Sequence, residues 1–255
     1  MLRPTLSRFH VLAIVALAGA AIALICEQRL VFWIIIFAFA VVTGLGVAIP
    51  QLSLFGAYIC RGPGPQKRVA LTFDDGPDAR STPALLELLE KSGVQAAFFC
   101  VGKRVAEQPE LAARIVREGH LLENHSYTHS NLTNFFTVAR LQEELARTQS
   151  LIQEKTGVAP RMFRPPIGLS NPRTFRAAHA LGLTVVGWSI RSLDTKIADP
   201  KRVVARVTRR LAPGAIILLH DGNIPTERLV PTVQILLDRV RTLGYEVVRL
   251  DHLLT

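Results

Sequence analysis

An α/β domain with a mostly parallel sheet, set behind an N-terminal transmembrane helical hairpin, is the architecture that this chain of 255 residues implies. Three observations carry it. Two uncharged apolar runs, residues 11–26 and 30–49, open the chain. From Lys67 onward, short apolar and β-branched runs alternate with stretches of helical periodicity, as in parallel sheets. Several of those short runs break abruptly into titratable residues, as strands do where they open onto an active site.

The apolar share of 49% and the mean hydropathy of +0.28 are high for a soluble domain, and the excess sits at the front. As a helix, residues 30–49 span roughly 30 Å, the thickness of a bilayer's hydrocarbon core. The first run suffices if Phe9 and His10 lie at the interface, so spans are expected at about 9–26 and 30–49, with Glu27, Gln28 and Arg29 between them. A signal peptide cleaved near Ala18-Gly19-Ala20 is the rival reading, disfavoured by the second full-length span directly behind it. A lipoprotein signal ending at Cys26 meets bulky Ile25 where a small residue is expected. Arg3 and Arg8 precede the hairpin and Arg61, Lys67 and Arg68 follow it, which puts both ends in the cytoplasm by the positive-inside bias.

The expected organisation is a hairpin over 1–50, a juxtamembrane linker over 51–66 and a catalytic-sized domain over 67–255. Gly56, Gly62, Pro63, Gly64 and Pro65 break up the linker, while Leu52, Leu54, Phe55, Tyr58 and Ile59 make part of it apolar enough to lie on the membrane surface.

Within the domain, residues 69–73 read as a buried strand delivering Asp74 and Asp75 to its carboxyl end, where Gly76-Pro77 turns the chain. Thr82 before Pro83 starts a helix that Gly93 ends, and 95–100 is the next strand. A helix around 111–118 stops at Gly119, and Leu121 and Leu122 lead into His125. Residues 137–156 form the longest helix of the domain, with Leu141, Leu145 and Ile152 on its apolar face and Gly157 as its stop. Another helix ends near Gly182. Strand 183–188, helix 200–211, strand 215–219, helix 226–242 and strand 245–249 complete the series.

Five polar clusters fall on this scaffold. Adjacent Asp74 and Asp75 repel unless a metal or an arginine lies beside them. His125 and His129 share a face if their segment is helical, and two neutral imidazoles with one carboxylate hold a catalytic zinc or a similar divalent ion while leaving room for a water. Taken alone, His-x-x-x-His is more often a pair of surface histidines; an Asp-Asp strand end in the same chain reverses those odds. Arg164 in Arg164-Pro165-Pro166-Ile167-Gly168 is suited to hold a carboxylate through two parallel bonds. Trp188 followed by Asp194 is the fourth cluster, and Leu218-Leu219-His220-Asp221-Gly222 the fifth, with His220 placed to exchange protons near neutral pH.

In this order, Thr72-Phe73-Asp74-Asp75-Gly76-Pro77, His125-x-x-x-His129, Arg164-Pro165-Pro166-x-Gly168, Trp188 to Asp194 and Leu219-His220-Asp221 resemble the five motifs of the polysaccharide deacetylases, carbohydrate esterase family 4. Each is weak alone; the ordered set, covering about 67–252, is specific. The resemblance implies a distorted (β/α)7-type barrel and divalent-metal-dependent hydrolysis of the amide of N-acetylated amino sugars. It implies Asp75, His125 and His129 as metal ligands, with Zn2+ the expected ion and other transition metals possible. Asp74 becomes the general base, oriented by Arg164, and His220 the general acid, positioned by Asp194. Ile167, Trp188 and Leu218 are assigned to the substrate and its oxyanion. Two positions depart from the pattern: Ile167 stands where an aromatic residue is common, and Ser189 where an acid is common.

The remaining features take bland readings. Cys26, Cys60 and Cys100 are odd in number and scattered, which indicates no disulfide framework. His10 reads as interfacial, and His120, His179 and His252 as structural or surface residues. The net charge of +10 is not read as nucleic-acid binding. Lys201, Arg202, Arg206, Arg209 and Arg210 form a solvated basic helix face that suits anionic headgroups or a substrate phosphate. Together these point to a bacterial inner-membrane, multi-pass deacetylase on the cytoplasmic face, acting on a polyprenyl-phosphate-linked N-acetylhexosamine used for lipid A or envelope glycan modification. The alternatives are an outward-facing peptidoglycan or exopolysaccharide deacetylase, a deformylase of a lipid-linked formamido sugar, and a tethered glycan-binding protein without turnover.

Overall fold

The computed structural model describes residues 7–255, so Arg3 lies outside the described residues. Helices α1 (Arg8–Ile25) and α2 (Arg29–Ala48) pack as a hairpin, and by length and composition both are long and apolar enough to cross a membrane. Small residues let them approach: Ala20 and Ala23 are buried, and Gly19 sits against the Ile35 side chain. The open end of the hairpin is stitched to residues 54 and 55. The Phe9 N–H donates to Leu54 O at 3.0 Å, and the Phe9 ring lies 5.2 Å from that of Phe55.

After a 3-10 turn at Pro50–Leu52, the chain runs directly onto the domain. Phe55 and Tyr58, expected on the membrane surface, are instead buried, because they fill the seam between hairpin and domain; the Tyr58 ring meets Phe175 edge-on at 6.0 Å. Ile59 bridges to Val186, and Gly62 donates to Gly214 O.

The domain alternates strand and helix: β1 (Arg68–Asp74), α3 (Thr82–Lys91), β2 (Ala97–Cys100), α4 (Gly102–Glu107), α5 (Pro109–Arg117), β3 (Leu121–Asn124), α6 (Val138–Thr156), β4 (Met162–Phe163), α7 (Pro172–Ala180), β5 (Thr184–Val185), β6 (Ile190–Arg191), α8 (Pro200–Thr208), β7 (Ala215–His220), α9 (Thr226–Thr242), β8 (Glu246–Val247) and α10 (Leu250–Leu253). Proline in the first turn opens α3, α5, α7 and α8, where its missing N–H costs nothing. Thr137 caps α6, and Gly157 ends it in the left-handed region at φ 76°.

All strand pairs are parallel, in the order β5-β4-β3-β2-β1-β7-β6, with β8 also on β1. The sheet curls into a half-barrel. Its two outer strands, β5 and β6, are joined by only a few residues, and Ile59 pairs with Val185 and Gly187 beside that seam. Alternation along the strands separates two apolar layers. Val69, Leu71, Phe73, Ile217 and Leu219 face the helices, whereas Ala70, Phe99, Met162, Trp188, Ile216 and Leu218 fill the barrel interior. A third cluster joins Phe136, Leu141 and Leu145 to Ala177, Val185 and Tyr58, so the segment after the hairpin shares the domain's core.

Candidate active site and metal centre

Sheet register assembles the site. On β1 and β7, Asp74 pairs with His220, so the base and acid candidates stand on neighbouring strand ends. On β3 and β4, Asn124 pairs with Phe163, which brings His125 beside Arg164 one residue further along. Beyond β1 the chain leaves the sheet at Asp75, whose φ of 72° swings its carboxylate away from that of Asp74.

Asp75 Oδ1 lies 3.4 Å from His125 Nε2 and 3.1 Å from His129 Nε2. These three residues are a group whose donor atoms lie close enough to hold one metal ion. Ligand atoms at about 2.0–2.1 Å from a tetrahedral zinc stand roughly 3.3 Å apart, which matches both separations. The tautomer fits as well. His125 Nδ1 is 2.7 Å from Arg164 O, which only accepts, so the proton sits on Nδ1 and Nε2 keeps its lone pair. Burial alone would raise the Asp75 carboxyl, but the adjoining His125 and His129 imidazoles outweigh it and hold the group far below the usual carboxylate range.

The segment carrying both histidines is not the helix under which they would share a face. It is an irregular turn, with Ser126 and His129 in the left-handed region at φ 63° and 50°. That turn, rather than an i, i+4 spacing, brings the rings to 4.9 Å.

Arg164 is completely buried in the barrel interior, stacked 4.0 Å over the Phe99 ring. It does not fork onto a carboxylate. One nitrogen, Nη1, donates to Asp74 Oδ1 at 2.6 Å and to Thr72 Oγ1 at 2.8 Å, while Nη2 and Nε donate to Gly187 O and Val186 O. The single contact follows from position, since the guanidinium spans from β1 to the seam between β5 and β6 and spends its other donors there. Asp74 Oδ1 is thereby fixed and Oδ2 is left towards the metal group, 3.8 Å from His125 Nε2.

His220 Nδ1 lies 2.8 Å from Asp194 Oδ1. Burial works against a charged imidazole, but the Asp194 hydrogen bond and the charges of Asp194, Asp74 and Asp75 push its pKa up to about 9. The neighbouring Asp221 turns the other way. It is fully buried, accepts from Thr82 Oγ1 at 2.6 Å, and burial raises it to about 7.

Ile167 takes φ 52° in a 3-10 turn at Pro166–Gly168; Pro165 and Pro166 carry no amide hydrogen, so the first N–H of that turn is its own. Trp188 packs its ring against Gly168. Leu218, by contrast, lies two residues behind His220 in the apolar layer beneath the site, packed with Trp188.

Sequence reasoning missed the supports. Both oxygens of buried Glu144 hold the histidine turn, accepting from Tyr127 N, Thr128 N and Thr128 Oγ1. An acid within the buried stripe of α6, between Leu141 and Leu145, was the available signal. Asn124 Oδ1 accepts from Ser126 N, and Arg228 Nη2 donates to Asp194 O at 2.6 Å, pinning the loop behind His220. His120, read as structural, accepts from Ala96 N with Nδ1, and burial lowers it to about 4.

The model of the polysaccharide deacetylase family matches residues 61–186. A peptidoglycan-N-acetylglucosamine deacetylase of Listeria monocytogenes is 35% identical over 73% of this chain and 39% of its own length, so the chain spans well under half of that relative. A chitooligosaccharide deacetylase of a Bradyrhizobium species is 37% identical over 70% of this chain and 82% of its own. Among solved structures, a pseudoenzyme of carbohydrate esterase family 4 from Bacillus anthracis superposes with a TM-score of 0.73 at 30% identity, covering 78% of this chain and 69% of that one. The curled parallel sheet, the ordered motifs at its carboxyl ends and this kinship agree: the chain belongs to the polysaccharide deacetylase family.

Proposed function

We propose that the protein is a metal-dependent N-deacetylase that hydrolyses the acetamide of an N-acetylated amino sugar in an envelope glycan. One observation carries this reading: the Asp75, His125 and His129 group adjoins a fixed carboxylate, Asp74 on Arg164, whose partner on the neighbouring strand is a charged imidazole, His220 on Asp194. Two neutral imidazoles and a carboxylate suit Zn2+. A divalent ion bound there polarises the acetamide carbonyl and acidifies a water.

The chain's own residues do the rest. Asp74 accepts the attacking water's proton at Oδ2, since Oδ1 is committed to Arg164. The Ile167 N–H faces the charge that develops on the carbonyl oxygen. His220 delivers its proton from Nε2 to the sugar nitrogen as the carbon–nitrogen bond breaks, leaving acetate and a free amine. The Bacillus anthracis pseudoenzyme warns that this fold also occurs without turnover; here no position of the base, acid and ligand set is missing.

For the carrier of the sugar, two readings each have support. A polyprenyl-phosphate-linked N-acetylhexosamine at the inner leaflet suits a hairpin stitched to the catalytic domain, with helices long and apolar enough to cross a membrane, provided its ends are cytoplasmic as the positive-inside bias expects. A peptidoglycan strand outside the membrane suits the relatives' named activities. Acetate release by the zinc-loaded full chain from N-acetylchitooligosaccharide, peptidoglycan and a polyprenyl-phosphate N-acetylhexosamine tests the chemistry and ranks the carriers. A reporter fused after Thr255 assigns the side. Release from none of the three overturns the deacetylase reading.

A further inference from the structure

Outside the hairpin helices, the large apolar side chains that remain exposed among the described residues are few, and most border one region. Phe135 is 77% exposed and Leu132 62%, on the loop that follows the metal-site histidines; Ile167 is exposed on the turn that follows Arg164; Ile49 and Leu52 are exposed at the foot of α2. Val158, at the far end of α6, is the exception. An apolar surface that a soluble face would shed is thus kept on the loops bordering the active-site mouth.

Two chains of contacts tie that mouth to the foot of the hairpin. In the first, Gln51 Nε2 donates to Trp188 O at 3.0 Å, and the Trp188 ring packs on Gly168 beside Ile167. In the second, Gly56 lies against the Phe175 ring on α7. At the start of the same helix, Asn171 Nδ2 and Arg173 Nη2 donate to Asn134 O at 2.7 and 3.0 Å, which anchors the turn bearing Phe135. Phe9, Phe55 and Leu54 close the other end of this path onto α1. Exposed Arg173 and Arg140, the latter stacked on Phe136, lie next to the rim, where anionic headgroups would meet them.

We propose that Leu132, Phe135 and Ile167 form a lipid-contacting rim: the domain rests mouth-down on the bilayer its own hairpin crosses, and takes its substrate from the lipid–water boundary. The occupant of this surface is the membrane, because contacts through Trp188 and Phe175 link the apolar rim to the foot of a hairpin whose helices match a bilayer in length. The contact rests on the placement of the rim and on the hairpin crossing the bilayer. Its use in substrate capture rests on the deacetylase reading.

The test uses the full chain in vesicles of phosphatidylcholine and phosphatidylglycerol whose acyl chains are brominated near the headgroup. In a Trp33→Phe background, Phe135→Trp is compared with Val158→Trp, and the shared Trp188 emission is subtracted. Bromolipid should quench the tryptophan at 135 about twofold or more beyond that at 158, as burial in the headgroup–acyl boundary requires. Equal quenching at the two positions overturns the contact. Capture is read separately with the Leu132→Ser, Phe135→Ser double variant. Its KM for a membrane-embedded acetamido glycolipid should rise about tenfold, with soluble N-acetylchitooligosaccharide turnover unchanged. A fall on both substrates, or on neither, overturns capture. If the unaltered chain turns over neither substrate, the deacetylase reading fails and capture with it, while the quenching result still decides the contact.

Discussion

Asp194 grips His220 at two points: Oδ1 lies 2.8 Å from the ring Nδ1, and Oδ2 accepts the backbone N–H of the same residue at 2.8 Å. Ser192 Oγ and the Thr195 N–H fill the remaining capacity of Oδ1, and Arg228 holds the Asp194 carbonyl, so neither partner has freedom to drift. The imidazole is therefore fixed in orientation, and its charged form is favoured.

That pairing sets a pH dependence. With its pKa pushed from 6.5 to about 9, His220 holds its proton at neutral pH, so kcat/KM should fall as pH rises through about 9. The sign for stability is the same: a raised folded-state pKa contributes stability that is complete below 6.5 and lost as pH passes about 9. Asp194→Asn removes the largest favourable contribution, and the alkaline limb should move down towards 6.5. A pH profile of kcat/KM for the two proteins checks this, and an unmoved limb would dissociate Asp194 from the proton donor.

Asp74→Asn should leave the metal in place and lower kcat by roughly 100- to 10,000-fold, because the amide keeps the Arg164 contact but cannot accept the proton. His125→Ala should instead lose the metal, since a ligand fixed by its bond to Arg164 O is removed. Metal content by elemental analysis beside acetate release separates the two. A metal-free His125→Ala protein that retains full activity would remove the metal from the mechanism.

Arg164→Met should cost about 3–5 kcal/mol of stability as well as activity, because it strands the Asp74 carboxylate in a buried site. Chemical denaturation of the full chain in detergent reads this directly. A variant as stable as the native protein would mean that water solvates Asp74 once the guanidinium is gone.

How far the sequence disclosed this molecule depended on run length and on backbone angle. β1 was legible because the short buried run 69–73 ends in two acids and a glycine, and 226–242 was legible as a helix with both its bounds. β4 and β6 are two residues each, as β5 and β8 are, but β4 lies between Arg161 and Arg164 and β6 ends in Arg191, so no apolar run marked the strands that position Arg164 and precede Asp194. α4 is six residues starting at a glycine and went unread for the same reason. The structure brings together the three residues read as a metal-holding set, yet by a geometry other than the helix expected: left-handed φ at Asp75, Ser126 and His129 does not follow from residue type, because most residues of these types stay outside that region. Phe55 and Tyr58 looked membrane-facing because hydrophobicity alone does not say which apolar surface covers a side chain.

The supporting acid, Glu144, gives the sharpest test of how that strained turn is maintained. Residues in the left-handed region cost about 1–3 kcal/mol each and persist only where surroundings over-determine them. Here Glu144 takes the N–H groups of Tyr127 and Thr128 at 3.1 and 2.8 Å, between the two left-handed residues. Glu144→Ala frees the turn. His125 stays on Arg164 O, but His129, a quarter exposed, has lost its anchor and should swing away from Asp75. Metal affinity should then fall about 10- to 100-fold, the usual effect of removing a residue that orients a ligand. Because Asp74 and His220 are untouched, kcat at saturating metal should return close to the native value. A metal titration followed by activity distinguishes the outcomes. Recovery with excess Zn2+ makes Glu144 a positioning residue for His129, whereas a protein that binds metal fully and stays inactive would mean that the turn shapes the substrate path instead.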